Sequence, residues 1–299
     1  MRERRCHAPG VGYHRCVLRR FLAHKGAVIG AILVILLVGI AAIGPHFAQD
    51  PTATNIDHGL TTMGAPMGPS ADALLGTDTL GRDVWSRVVS GARASLSIAT
   101  FGTLIALFIG LAVGLVAGYA GGWVDGALMR VVDLVLSFPF LLLAILLGAL
   151  LRETSFGGSS LAVILTLGVV SWTTMARVIR GKAMSIARSE HVMAARAIGA
   201  SPVRIMLRHV LPDVVGVMVV VAVLGFAQNL LGEAALSYLG LGPAPPAPTW
   251  GRMIYEGRPY FRAAPHLVIA PGVAILLAVV AFNLVGEGLR DMFAPKERA

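Results

Sequence analysis

The sequence predicts an all-α polytopic membrane protein with six transmembrane helices, and three observations carry that prediction. Hydrophobic residues make up 56% of the 299-residue chain and charged residues only 14%, against about a quarter charged in an average soluble protein. The mean hydropathy is +0.76. The apolar residues also gather into uncharged runs close to the roughly 20 residues that a helix needs to cross a hydrocarbon core about 30 Å thick. An ordinary soluble enzyme and a disordered chain are both excluded, the first for want of polar surface and the second for excess of apolar residues.

Residues 1–25 form a basic tail carrying Arg2, Arg4, Arg5, Arg15, Arg19, Arg20 and Lys25. The two cysteines, Cys6 and Cys16, lie in it without CxxC spacing or a histidine cluster, so they read as spare thiols rather than a disulfide framework or zinc site. Residues 26–44 run uncharged to a Gly44-Pro45 break and form the first span. A cleaved signal peptide is the rival, but its apolar region is about 7 to 15 residues and its basic leader is shorter. Residues 45–93 are rich in Pro, Gly, Thr and Asp without a sustained apolar period, which makes them an extramembrane loop.

The remaining spans fall within 94–289. The second runs from about Leu96 to Tyr119, and Gly110, Gly114 and Gly118 recur on one face of it. Small residues at that spacing let another backbone approach, so the stripe reads as a packing seam rather than a pore lining. The third covers Leu134 to Leu151, with Pro139 near its start, where a missing N–H is tolerated. Leu161 to Met175 is the fourth, Val214 to Gly232 the fifth, and Leu267 to Val285 the sixth, with Pro271 in its first turns. Residues 290–299 are a second tail.

Six crossings place both termini on one side, and the basic residues say which. The N-terminal tail, Arg130, the stretch from Arg177 to Arg208, and Arg290, Lys296 and Arg298 together hold 18 of the 25. The other side holds Arg82, Arg87, Arg93, Arg152, Arg252, Arg258 and Arg262. The bias puts both termini and the loop of about 177–213 in the cytoplasm. It also accounts for the formal charge of +9 without a nucleic-acid partner.

That cytoplasmic loop is the most informative part of the chain. His191 to Ile198 are good helix formers, and Gly199 is suited to end the helix with positive φ. The small Ala194-Ala195 face suits insertion into another protein's groove, with Arg196 and Arg204 pairing acidic groups at its rim. An amphipathic helix lying on the lipid surface fits the composition equally.

The loop resembles the cytoplasmic signature of permease subunits in binding-protein-dependent ABC importers, whose pattern is Glu-Ala-Ala, three residues, Gly, and later Ile and Leu-Pro. Here Ala194, Ala195, Gly199, Ile205, Leu211 and Pro212 match it, with Met193 in place of the glutamate. From about Leu75 onward the chain is similar to the second permease of dipeptide, oligopeptide and nickel importers. The matching stretches are Leu75-Gly-Thr-Asp-Thr-Leu-Gly-Arg-Asp83, Gly118 to Asp125, Glu233 to Gly242 with Trp250-Gly251, and Asn283 to Asp291. Asp213, Glu287 and Ala294 depart from the commoner Asn, Asp and Asp.

The resemblance implies a type I ABC importer permease fold over 94–289 in a multi-pass protein of the bacterial inner membrane. It also implies four kinds of partner besides the lipid bilayer: a second homologous permease, two ATP-binding cassette ATPases, an extracytoplasmic solute-binding protein, and a substrate that is a short peptide. A nickel or metal-chelate importer is the alternative within the family. The docking helix it implies comprises His191, Met193, Ala194, Ala195, Arg196, Gly199, Ala200, Ser201 and Arg204. ATP and magnesium belong to the partner ATPases, for the one Gly-Lys pair, Gly181-Lys182, lacks the upstream glycine of a phosphate loop. No cofactor, metal site or catalytic residue is expected on this chain.

Polar residues near the spans complete the reading. Gln228, Asn229, Glu233 and Ser237 are the candidates for a pathway or gate. Gln228 and Asn229 either line a water-filled path or bond a neighbouring helix, and Glu233 is expected to hydrogen-bond the Leu239 to Gly242 turn. Asp78, Arg82 and Asp83 are expected to pair and cap locally. Pro243 to Pro248 is a stiff connector, and Trp250, Tyr255 and Tyr260 suit an interfacial aromatic layer or a surface for a binding protein. His191 and His209 lack a third ligand for a metal. No Asp, Glu, Lys or Arg lies within the six apolar cores, which disfavours a proton-driven secondary transporter.

Overall fold

The computed structural model describes residues 21–22 and 24–293. Cys6, Cys16, most of the basic tail, Ala294, Lys296 and Arg298 lie outside the described residues. Helix α1 (Lys25–Phe47) starts on His24, whose Nδ1 accepts the Ala27 N–H at 3.1 Å. Its 23 residues span about 35 Å at 1.5 Å each, enough to cross a bilayer.

Helix α2 (Val84–Ala120) is 37 residues long and begins well before Leu96, so residues 84–93 of the 45–93 stretch are helical rather than loop. The cause is a side-chain cap: the Asp83 carboxylate accepts the Ser86 N–H at 2.9 Å. Ser86, Arg87 and Ser95 make these first turns look like loop in the sequence, yet all three are buried.

The third crossing is not one helix. Helices α3 (Gly122–Leu136) and α4 (Phe140–Arg152) meet at 86° across Ser137, Phe138 and Pro139. Pro139 disfavours helical geometry at Phe138 and supplies no N–H to continue the ladder. The 13 residues of α4 reach only about 20 Å, too short to cross alone, and the bent pair together is the sixth candidate span, broken or re-entrant. Helices α1, α2, α5 (Ser160–Ala187), α7 (Leu211–Tyr238, with its lead-in from Pro202) and α9 (His266–Phe293) are each long and apolar enough to cross alone.

Both α5 and α7 outrun their apolar cores. The extension of α5 carries Arg177 and Arg180, which pair with Asp133 at 2.6 Å and with Asp125 through both carboxylate oxygens, fastening α3 to α5. The extension of α7 puts Glu233 and Ser237 inside a helix rather than beyond its end.

The glycine stripe lies where α2 and α5 approach closely. A Cβ at Gly110 would lie 2.8 Å from Met175 Cβ, and Cβ atoms at Gly114 and Gly118 would each lie 2.6 Å from a backbone oxygen of α5, those of Ala176 and Arg180. The stripe is thus the seam between α2 and α5. Elsewhere the core gathers around Trp250, which opens α8 (Trp250–Gly257) and is only 1% exposed. Trp250 packs with Ala92, Ala99, Phe226, Leu230, Ala278 and Ala281, and its Nε1–H donates to Val88 O at 2.9 Å. It is therefore no part of an interfacial layer, although Tyr255 and Tyr260 are partly exposed. A tryptophan with one polar atom satisfied at the helix end is readily buried.

The described ends come together. His24 Nε2 lies 3.4 Å from Asp291 Oδ2, and Phe293 packs against Gly216 near the start of α7.

Candidate functional site

Helix α6 (Glu190–Ala197) sits at this same end, where the Arg196 guanidinium lies 5.5 Å from the ring centre of Tyr119 at the close of α2. It terminates as a Schellman turn: Gly199 adopts φ +81°, its N–H donates to Arg196 O, and the Ala200 N–H donates to Ala195 O, both at 3.1 Å. Val192 and Ala195 are buried with Ile179, Ala183 and Ile186 of α5 and with Ile205 and Val210. The Ala194-Ala195 pair is therefore split, since a helix turns about 100° per residue: Ala195 anchors the helix and Ala194 faces out.

The outer surface joins Met193, Ala194 and Arg196 to Ile198, which is 86% exposed, and to Ser201, Arg204, Val203 and Leu207. Val203 and Leu207 escaped the sequence reading, although their i, i+4 spacing places both on one face. His191 and His209 also meet, with ring centres 6.4 Å apart, and Asp213 lies 3.5 Å from His191 Nε2. These contacts tie α6 to the start of α7.

The four polar candidates on α7 separate into two groups. Gln228 lines a cavity of about 730 Å³ whose wall comes from the α3/α4 elbow (Leu136, Phe138, Pro139, Phe140), from Ser171 and Thr174 of α5, and from Asn283 of α9. Asn229 instead points into the protein, fully buried, and its Nδ2 donates to Thr103 Oγ1 of α2 at 3.0 Å. Glu233 and Ser237 do not line the cavity. Both are 0% exposed, and Ser237 Oγ donates to Glu233 Oε1 at 2.7 Å. The Glu233 carboxylate thus meets Ser237 and not the Leu239 to Gly242 turn, because the helix continues through both residues and aligns them at i, i+4.

Thr249 Oγ1 donates to Ser237 at 3.3 Å, and the Trp250 N–H donates to Ser95 Oγ at 3.2 Å. The node therefore joins α7, α8 and α2. Asn283, Ser171 and Thr174 were missed as cavity residues because five helices, most of them distant in sequence, supply one wall.

At the opposite end from α6, a compact ionic cluster links the Leu75 to Asp83 motif to α8. Arg82 pairs with Asp78 at 2.6 Å and Glu256 at 3.2 Å, Arg87 with Glu256 at 2.8 Å and Asp78 at 3.4 Å, and Arg252 with Glu256 at 2.9 Å. The local pairing of Asp78 with Arg82 and the capping by Asp83 are present. The link to Glu256 could not be read from residues about 170 positions apart.

A family profile described as "Binding-protein-dependent transport system inner membrane component" matches residues 110–299. A second, "N-terminal TM domain of oligopeptide transport permease C", matches residues 13–62, so the resemblance reaches well before Leu75. The dipeptide transport system permease protein DppC of Alkalihalophilus pseudofirmus is 37% identical over 286 residues, 95% of this chain and 90% of that protein. The glutathione transport system permease protein GsiD of Escherichia coli is 39% identical over 93% of this chain and 89% of its own. Among solved structures, a chain of the MetNI methionine ABC transporter superposes with a TM-score of 0.58 at 20% identity, covering 70% of this chain and 97% of its own. That likeness establishes the fold of a type I ABC importer permease. With one profile over most of the chain and relatives more than a third identical along nearly all of it, this chain belongs to the binding-protein-dependent transport system inner membrane components, the multi-pass permease subunits of ABC importers.

Proposed function

We propose that this chain forms one half of an ATP-driven pathway for short peptides, facing a second homologous permease across the cavity beside Gln228. The observation that carries the peptide reading is the identity of 37% and 39% to relatives named for dipeptide and glutathione transport, sustained over more than nine-tenths of the chain. An extracytoplasmic binding protein delivers the substrate, and two ATPase subunits, which hold the ATP and magnesium, dock from the cytoplasm. The basic bias of the tails and of the 177–213 loop supports cytoplasmic termini.

The outer face of α6 is the docking surface. Its apolar and small residues Met193, Ala194 and Ile198 enter a groove of the ATPase, while Arg196 and Arg204 meet acidic groups at the rim. Val192 and Ala195, buried against α5, pass the movement on to the seam with α2. Coupling then follows from differential contacts: the docked ATPase favours one of two transmembrane arrangements only as far as it binds them unequally.

Gly199→Val tests the docking reading. No atom lies within 4 Å of the added Cβ, but φ is +81°, a conformation that costs a β-branched residue more than about 1–2 kcal/mol. The turn will reset and reorient the docking face without disturbing a span. In vesicles holding the whole importer, peptide uptake should fall at least tenfold while membrane insertion stays unchanged. Unimpaired uptake would overturn the role of α6.

A further inference from the structure

We propose that Gln228 and Asn283 form a subsite that hydrogen-bonds the backbone amides of a short peptide passing through the cavity; this rests on the peptide reading above. Gln228 and Asn229 are neighbours on α7 with opposite fates. Asn229 turns inward and gives its N–H to Thr103, whereas Gln228 faces the cavity, and Asn283 faces it from α9. Among the described residues neither of these two carboxamides has a hydrogen-bond partner within the chain. Uncharged polar groups left open at membrane depth call for water or a ligand, since hydrocarbon satisfies neither end of an amide.

The chemistry of the wall narrows the ligand. A carboxamide presents a carbonyl acceptor beside an NH₂ donor, the complement of the N–H and C=O of a peptide bond. Ser171 Oγ already donates to Leu167 O, so it faces a ligand as an acceptor. Among the described lining residues there is no Asp, Glu, His, Cys, Lys or Arg. The wall therefore lacks the carboxylate, imidazole and thiolate groups that hold a bare metal cation. It also sets no charge of either sign against a passing side chain. Thr173 and Thr174 add hydroxyls, and the rest of the lining, including Leu136, Phe138 and Phe140, is apolar. A cavity of about 730 Å³ lies within the roughly 300–1,000 Å³ of small-molecule sites. Selection at this step thus falls on the peptide backbone and leaves side-chain charge unread.

The test uses the complete importer, with its ATPases and binding protein, in proteoliposomes. Uptake of a trialanine peptide is compared with that of the same peptide methylated on its internal amide nitrogen. The ratio of the two uptake rates is expected to fall about fivefold from wild type to Gln228→Leu, the order set by one net hydrogen bond. Any preference of the binding protein is common to both and cancels. Asn283→Leu should lower the ratio likewise, and Gln228→Asn, which keeps the carboxamide, should retain most of it. An unchanged ratio in both leucine variants, with uptake intact, would overturn the subsite while leaving peptide transport standing. Absence of any peptide uptake by the wild-type importer would instead overturn the peptide reading, and the subsite with it.

Discussion

Glu256→Met is expected to destabilise the protein by about 3–5 kcal/mol, the range for stripping one partner from a buried ion pair, while Arg87→Met should cost at most about 1.5 kcal/mol. The asymmetry follows from the composition of the cluster. Arg82, Arg87 and Arg252 share only two carboxylates, Asp78 and Glu256. Removing Glu256 leaves Asp78 alone to pair Arg82 and Arg87 and takes from Arg252 its carboxylate partner, and the side chains of Arg82 and Arg87 are only 8% and 2% exposed. Removing Arg87 leaves both carboxylates paired and takes away a buried Nη1 that has no partner. A methionine of similar volume then fills the space, the kind of swap that packed interiors accept. The thermal unfolding midpoints of the two variants in detergent check the ordering. Equal losses would mean that the excess of cations over carboxylates does not set the cost. The double variant should recover part of the loss, because it removes the most deeply buried cation along with its carboxylate.

Gly114→Leu should also be severe, at or above the upper end of the roughly 1–3 kcal/mol typical of overpacking. An added Cβ lies 2.6 Å from Ala176 O and 2.9 Å from Ile179 Cβ, so the obstacle is backbone and the two helices must separate. Because α5 also anchors α6 through Ile179, Ala183 and Ile186, the displacement reaches α6. Purified G114L is expected to elute largely as aggregate in size-exclusion chromatography. Gly39→Leu, with no atom within 4 Å of its Cβ, should elute as wild type. Monodisperse, transport-competent G114L would refute the seam.

What the sequence disclosed was whatever depends on local pattern. Uncharged apolar runs located the spans, the four-residue glycine repeat located the α2/α5 contact, and Gly199 marked the end of α6. The ends of the helices were hidden because polar residues such as Ser86, Arg87 and Ser237 are buried by tertiary partners, and a hydropathy pattern reads them as solvent-facing. The bend at Pro139 was underread for a related reason. A proline near a helix start is tolerated, and only the charged, amphipathic run of α3 before it shows that a helix had already begun. Glu233 looked like a boundary residue since its partners, Ser237 and the neighbouring Ser95 and Thr249, come from three elements. The cavity was the least legible feature. Gln228 was singled out by its polarity, but nothing in the spacing joins it to Asn283, Ser171 and the elbow.

The docking of α6 is tested most directly at Ala194, which is exposed beside the buried Ala195. Cys6 and Cys16 are the only cysteines, so a Cys6→Ser, Cys16→Ser background carrying Ala194→Cys offers one thiol for a membrane-impermeant maleimide applied from the cytoplasmic side. The expected result is rapid labelling of the permease pair alone, strong protection once the ATPase subunits are added, and loss of ATP-driven peptide uptake when the label is attached first. Equal labelling with and without the ATPases, or full uptake by the labelled protein, would contradict the role assigned to this helix.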